Sequence, residues 1–303
     1  MTWTRDDIPD QSGRIAVVTG ANAGLGEQTA KALAAAGAVV WLACRSGDRA
    51  RAAMERIRAE VADAQLHWVP LDLGDLESVK ACAHQLLEEL PKLDLLINNA
   101  GLMTPPHGLT KDCFELQFGI NHLGHFALTA QLMPLLLKAP GSRVVTVSSL
   151  AHRQGRIRWA DLDWRRSYRR WAAYGMSKVA NLLFTFELER RLRRRGLECS
   201  SLAAHPGMAS TELMRHNKLF DLFAPYFTQG AMAGAMPTLR AATDPEAKGG
   251  DYFGPRGPFE VMGAPVLVRA TRYARDEQIA KKLWALSEKL TGQEFFHQPA
   301  RGV

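Results

Sequence analysis

The sequence predicts an α/β protein: a single-domain, Rossmann-like doubly wound parallel sheet flanked by helices. Three observations lead there. Short continuous apolar runs alternate with helical patterns through the first two-thirds of the 303 residues, a glycine-rich turn follows the first run directly, and nothing resembling a linker interrupts the alternation before about residue 210. Strands that are apolar on both faces are buried on both faces, which implies a parallel sheet wrapped by helical crossovers. Folds of this kind bind ligands beyond the carboxyl ends of their strands.

The elements follow in order. Ile15-Ala16-Val17-Val18-Thr19 reads as the first strand, and a helix from about Leu25 to Ala36 stops at Gly37. Val39–Ala43 is the second strand, followed by a helix through Met54-Glu55-Arg56-Ile57. Leu66–Val69, Leu93–Ile97, Arg143–Val147 and Leu197–Ala203 repeat the strand pattern, with helical stretches between them. Beyond residue 210 the pattern loosens. Gly249-Gly250, Gly254-Pro255 and Gly257-Pro258 mark loops around a short strand at Asp251-Tyr252-Phe253, and an amphipathic helix spans roughly Asp276 to Leu290. With no repeat or low-complexity tract, one domain is expected over 1–303, its core at 12–210 and its substrate-side and C-terminal elements at 211–303.

Composition narrows the class. Hydrophobic residues make up 47% and charged residues 23% of the chain, the balance of an ordinary globular domain. The Met1–Asp10 segment has no apolar h-region, so no secretory signal is expected, and no stretch has the character of a membrane span; a cytoplasmic protein is the reading. Cys44, Cys82, Cys113 and Cys199 show no C-x-x-C spacing and fall within apolar elements, so reduced core thiols are expected and no metal site. The net charge of +7 is concentrated in Arg153, Arg156, Arg158, Arg165, Arg166, Arg169 and Arg170, and in Arg190–Arg195 at a helix end. The second group suits the negative end of a helix dipole. The first reads as a solvated insertion, with an anionic substrate or a membrane surface as alternatives; no nucleic-acid partner is expected.

Two local patterns carry chemistry. In Ala173–Asn181, Tyr174 and Lys178 are one helical turn apart and share a face; no other tyrosine has a lysine at that offset. A phenol donates a proton to a carbonyl near neutrality only if its pKa, ordinarily ~10, is lowered, and a nearby ammonium supplies that field. The turn Thr19-Gly20-Ala21-Asn22-Ala23-Gly24-Leu25-Gly26 joins the first strand to a helix. Glycines there let the backbone approach a pyrophosphate while the helix N-terminus offers its N–H groups. The spacing is G-x-x-x-G-x-G rather than G-x-G-x-x-G, and a packing turn is the alternative. The second strand ends Ala43-Cys44-Arg45-Ser46, without an acidic residue to hold a ribose 2′-hydroxyl. Arg45 and Ser46 suit a 2′-phosphate, so NADP(H) is favoured over NAD(H), an ordinary surface arginine being the alternative.

Together with Asn98-Asn99-Ala100-Gly101, Ser149 and His205-Pro206-Gly207, these motifs stand in the order of the short-chain dehydrogenase/reductase family, which the chain resembles firmly over about 12–210. The Ala-Cys-Arg strand end, Val147–His152 and the long spacer before Tyr174 resemble its retinol-dehydrogenase-like branch. The resemblance implies Tyr174 as general acid in reduction and base in oxidation, with Lys178 on the nicotinamide ribose and lowering the phenol's pKa. It implies Ser149 on the substrate oxygen, with Ser148 as a substitute, and Asn121 holding a water of the proton relay. For the cofactor it implies contacts from Gly20, Asn22, Gly24, Leu25 and Gly26, from Asp72 and Leu73 at the adenine, from Asn98, Ala100 and Gly101, and from Pro206, Gly207 and Thr211 at the nicotinamide. His205 is read as packed. No N-terminal membrane anchor of the kind common in animal members is expected from the Met1–Asp10 segment, which puts retinoid specificity outside what the resemblance implies.

The expected function is NADP(H)-dependent interconversion of an alcohol and a carbonyl on a lipophilic small molecule. Leu102, Met103, Pro105, the Trp-rich insertion and Met208–Phe227 are the substrate-facing candidates. The alternatives are a dinucleotide-sensing protein without catalysis and a reductase of a carbon–carbon double bond. Leu182, Leu183, Phe184 and Phe186 offer an apolar surface for a homodimer or homotetramer, or else face the sheet.

Overall fold

A computed structural model of the protein describes residues 2–208 and 230–296, so Thr211 and the apolar segment from 209 to 227 lie outside the described residues. Its centre is one sheet of β1 (Ile15–Thr19), β2 (Val39–Cys44), β3 (Leu66–Pro70), β4 (Leu95–Asn98), β5 (Arg143–Val147), β6 (Ser200–Ala204), β7 (Tyr252–Pro255) and β8 (Pro265–Leu267). Across the sheet the order is β3-β2-β1-β4-β5-β6-β7-β8, parallel everywhere except β7–β8. The chain therefore reverses its direction of winding between β1 and β4, where a crevice opens at the strand ends.

The two faces are read off β1. Val17 packs with Leu96, Phe126 and Val144 on one side, and Ala16 and Val18 with Leu33, Leu42 and Ile97 on the other. Helices α1 (Gly24–Ala35) and α2 (Gly47–Glu60) cover the second face. On the first lie α3 (Leu76–Glu89), the short α4 (Leu116–Phe118), a π-helical turn (Gly119–Leu123) running directly into α5 (Gly124–Leu137), and α6 (Arg170–Arg194). Two more helices follow, α7 (Ala231–Thr243) against α1 and α8 (Glu277–Thr291) against α6.

Local chemistry sets the ends of these helices. Ser46 caps α2 by accepting from Arg49 N at 3.4 Å, and Asp276 caps α8 by accepting from Gln278 N and Ile279 N. Gly292, at φ +65°, ends α8 in the left-handed conformation that favours glycine.

Several expectations change. The strand expected from Leu197 begins only at Ser200, because Leu197 N closes the end of α6 on Leu192 O. β8 and α7 escape the sequence reading: β8 is three residues long and begins with proline, and α7 is rich in small residues and carries Gly234 and Pro237 in its interior. That smallness lets α7 lie close to the alanine-rich α1. Cys113 is exposed at φ +66°, unlike the three buried thiols, because it sits in a turn and not in an apolar element. The apolar residues of α6 are not a free surface either. Leu182 and Leu183 are fully buried, and the Phe184 ring stacks on Trp284 of α8 at 5.9 Å between centroids. Burying each such aliphatic side chain contributes on the order of 1.5–3 kcal/mol, and of the two alternatives for these residues the structure shows the inward-facing one.

Candidate active site

The turn after β1 is shaped by close backbone approach. Gly20 has φ +67°, and a Cβ there would lie 3.0 Å from Ala100 Cα. A Cβ on Gly26 would lie 2.5 Å from Gly20 O and 2.6 Å from Asn99 Nδ2, so the first turn of α1 rests directly on the loop. Thr19 Oγ1 accepts from Asn99 N and Ala100 N, each at 2.9 Å, and Asn99 Nδ2 donates to Thr19 O at 2.8 Å. These bonds lace the ends of β1 and β4 together. Gly24, at φ +58°, opens α1, and Ala23 before it offers no side-chain cap to the first N–H groups. That combination fits a pyrophosphate. A cleft of about 410 Å³ opens beside it, lined by Asn22, Ala23, Gly24, Glu27, Arg49, Ala52 and Arg56.

At the ends of β2 and β3, Arg45 NH1 stands 3.6 Å from Asp72 Oδ2, so the structure brings these two candidates together. Leu73 turns its side chain into the core, leaving only its backbone toward the crevice. Asn98 is also turned inward, donating from Nδ2 to Thr129 Oγ1 at 3.0 Å. Asn99, absent from the expected contacts, is the asparagine that holds the turn.

The four catalytic candidates converge at the ends of β4 and β5. Ser149 follows β5 and places its hydroxyl near enough to Tyr174 to lower the phenol's pKa, while its Oγ accepts from Ala151 N at 3.2 Å. Ser148 is turned away and donates to Lys178 O at 2.9 Å, which leaves Ser149 as the serine facing the phenol. Lys178 Nζ donates to Val147 O at 3.0 Å and lies 5.8 Å from the centre of the Tyr174 ring. Asn121 sits in the π turn, where one extra residue per turn swings its side chain toward the loop after β4. Its Oδ1 accepts from Leu102 N at 2.7 Å, and its Nδ2 donates to Leu102 O and Ser177 Oγ, each at 2.9 Å. One amide donor thus fixes that loop and the other ties the π turn to α6. A Cβ on Gly101 would sit 3.0 Å from Asn121 Oδ1 and 3.5 Å from Lys178 Nζ, so only glycine leaves the ammonium open there. His122, the next residue of the π turn, places Nε2 2.8 Å from Ser287 Oγ of α8.

Two glycines that the motifs do not include set the Ser149–Tyr174 approach. A Cβ on Gly155 would lie 2.1 Å from Gly175 O, and one on Gly175 2.9 Å from Ala151 O. The turn after Ser149 therefore lies backbone to backbone against the first part of α6.

Burial governs the titration of this group. Desolvation pushes Tyr174 up to about 12, opposed by the nearby Ser149 hydroxyl, and pulls Lys178 down to about 8. In both groups burial is the largest cause, since taking either charged form out of water is costly.

Beyond β6, His205 is fully buried, as its packed reading expected, and Gly207 adopts φ +66°. In the insertion, Trp164 is buried beneath Arg158, whose guanidinium carbon lies 4.1 Å from the ring centre. The single O–H of Tyr168 is shared between Pro105 O and Glu115 Oε1, each 3.2 Å from the hydroxyl oxygen, which ties the insertion to the loop after β4. Arg153, Arg158 and Arg165 pair with Glu260, Asp161 and Asp163, and Trp171 is 58% exposed with its ring edge-on to Tyr174. No helix among the described residues is long and apolar enough to cross a membrane.

A family model described as short chain dehydrogenase matches residues 14–220, and the chain belongs to that family. Retinol dehydrogenase 12 of Mus musculus is 41% identical over 286 residues, 92% of this chain and 87% of that protein. Retinol dehydrogenase 13 of Homo sapiens is 41% identical over 294 residues, 93% of this chain and 86% of that protein. Among solved structures, an uncharacterised protein from Mycobacterium paratuberculosis shares 44% identity at a TM-score of 0.82, covering 98% of this chain and 100% of its own. A short chain dehydrogenase from Shigella flexneri, complexed with NADP, shares 25% identity at a TM-score of 0.63, covering 80% of this chain and 97% of its own. The chain is an oxidoreductase acting on CH–OH and C=O groups.

Proposed function

We propose that the protein interconverts an alcohol and a carbonyl on a lipophilic small molecule with NADP(H), using Tyr174 as general acid in reduction and general base in oxidation. The observation that carries this reading is the convergence at one buried site of Tyr174, the Ser149 hydroxyl that lowers its pKa, and Lys178, whose Nζ lies 5.8 Å from the Tyr174 ring centre. The cofactor supplies or accepts the hydride. Ser149 and Tyr174 together hold the substrate oxygen and stabilise the charge that grows on it. With its pKa at about 12, Tyr174 keeps its proton at neutral pH until an oxyanion develops beside it. Lys178 uses one N–H on Val147 O and turns the others to the nicotinamide ribose. Asn121 keeps Gly101 and Leu102 clear of that ammonium, and Pro206 and Gly207 meet the carboxamide.

At the other end, Gly20, Asn22, Gly24, Leu25 and Gly26 cradle the pyrophosphate, with Asp72 and the backbones of Leu73, Asn98 and Ala100 along the adenosine. Arg45 and Ser46 take the 2′-phosphate. Arg45 is largely exposed, and an exposed pair such as Arg45–Asp72 costs little to rearrange. The lipophilic substrate is supported by the relatives named retinol dehydrogenases, by half-buried Leu102, Met103 and Pro105 after β4, and by Trp171, exposed with its ring against Tyr174. We read the chain as one working unit, in which the region after residue 211 completes the substrate side.

The test is Tyr174→Phe assayed by NADPH consumption over a panel of apolar aldehydes and ketones. Loss of the proton donor is expected to lower kcat by about 10²–10⁴-fold with NADPH still bound. A variant as fast as the parent, or a parent that turns over no apolar carbonyl, would refute the reading.

A further inference from the structure

We propose that Glu260 is a positioning residue for the nicotinamide end of the site, acting through His205 on the turn Pro206-Gly207-Met208. The inference rests on the reading of that turn as the nicotinamide contact, and extends it to a residue that touches neither cofactor nor substrate.

The hairpin between β7 and β8 folds back over the end of β6. Its Glu260 carboxylate lies 3.1 Å from His205 Nε2 through one oxygen and 2.8 Å from Arg153 NH2 through the other. Arg153 belongs to the short helical turn that begins just after Ser149, so one carboxylate ties together three loops at the strand ends. On the far side of the imidazole, Gly207 N donates to His205 Nδ1 at 3.2 Å. That bond makes Nδ1 the acceptor, so Nε2 carries the hydrogen and donates to Glu260. The carboxylate thus fixes which ring nitrogen can receive Gly207. Burial lowers the His205 pKa, in keeping with the neutral tautomer that the two bonds require. Packing holds the ring in place: a Cβ on Gly254 would lie 2.0 Å from His205 Nε2.

The same hairpin also contacts the turn through its backbone. Met208 N donates to Val261 O at 2.8 Å, and a Cβ on Gly207 would lie 2.2 Å from that oxygen. Phe259 and Glu260 stand consecutively at φ +54° and +61°, a conformation that side chains rarely adopt. Strain in two adjacent residues is kept where the surroundings over-determine it, commonly at a site of function. Here it delivers the carboxylate to His205 while Phe259 is left 83% exposed.

The left-handed backbone also supplies a clean test, since glycine removes the carboxylate and relieves the strain together. Glu260→Gly is expected to keep or raise Tm. Its Kd for NADPH and for NADH should rise by about tenfold in parallel, the loss of one charge-assisted bond. Its Kd for 2′,5′-ADP, which lacks the nicotinamide, should stay unchanged. Glu260→Gln still offers an oxygen to His205 Nε2–H and should restore NADPH binding to within about threefold of the parent. NADPH binding unchanged in Glu260→Gly, 2′,5′-ADP weakened as much as NADPH, or no recovery in Glu260→Gln would each overturn the proposal. A parent chain that binds neither NADPH nor 2′,5′-ADP would instead overturn the cofactor reading, and this proposal with it.

Discussion

Arg45 and Lys178 are both cations assigned to one dinucleotide, yet Arg45 stands mostly in solvent at the end of β2 while Lys178 is almost wholly buried beside Tyr174. The region around Arg45 is a backbone turn with exposed charges at its rim. The region around Tyr174 consists of buried side chains whose spacing is set by backbone contact at Gly155 and Gly175. Water screens the first and is excluded from the second, so the same kind of charge does different work in each. Changes near Arg45 should alter which dinucleotide binds and how tightly; changes near Tyr174 should alter rate and pH dependence.

The largest effect that would break this division is expected from Gly155→Val. Its side chain would enter the space of Gly175 O and push the turn bearing Ser149 away from Tyr174. A displacement of that order costs on the order of 100-fold in kcat/KM, and an isothermal titration with 2′,5′-ADP should show the nucleotide end unaffected. If nucleotide affinity fell equally, the two regions would not be separable. Next in size is Arg45→Asp, expected to lower the preference for NADPH over NADH by roughly 10- to 100-fold with kcat preserved, as read from KM and kcat for each cofactor.

The pH profile sharpens the contrast further. Lys178, held at about 8, is charged below that pH and neutral above it. Carbonyl reduction that needs the ammonium is therefore full at pH 7 and falls about tenfold per unit once pH passes 8. Lys178→Arg keeps its charge well above that range, and its profile should lose the fall, whatever the absolute rate. A parent profile flat to pH 10 would contradict the assignment. The smallest effect is expected from Ser46→Ala, which removes the cap of α2 at a cost of about 1 kcal/mol and should lower Tm by a few degrees without changing kcat.

The same division explains what could be read from the chain before its structure. Gly20, Gly24, Gly26, Arg45, Tyr174 and Lys178 are legible because each acts within one turn or one helical face, where spacing along the chain is spacing in space. Asn99 escaped notice beside Asn98, since the pattern Asn-Asn-Ala-Gly does not say which amide turns inward and which holds Thr19. The Gly155–Gly175 approach was not legible because it joins two segments through their backbones, and each glycine alone looks like a loop or a tolerated helix residue. The π turn was hidden for a related reason: a single extra residue leaves the apolar pattern on either side intact while it redirects Asn121. The raised phenol and lowered ammonium belong to burial, which no spacing reports. β8 and α7 escaped because a three-residue strand that begins with proline is too short to show alternation, and Gly234 and Pro237 inside α7 read as breakers.

His122 and Ser287 carry a last consequence. The family match ends at residue 220, but the turn that presents Asn121 is braced from position 287, and the Phe184 ring of the helix bearing Tyr174 is roofed by Trp284. Trimming this enzyme to its recognisable portion would strip the roof from that ring and the prop from that turn at one stroke. The minimal active fragment is thus dictated by α8, whose own residues perform no chemistry.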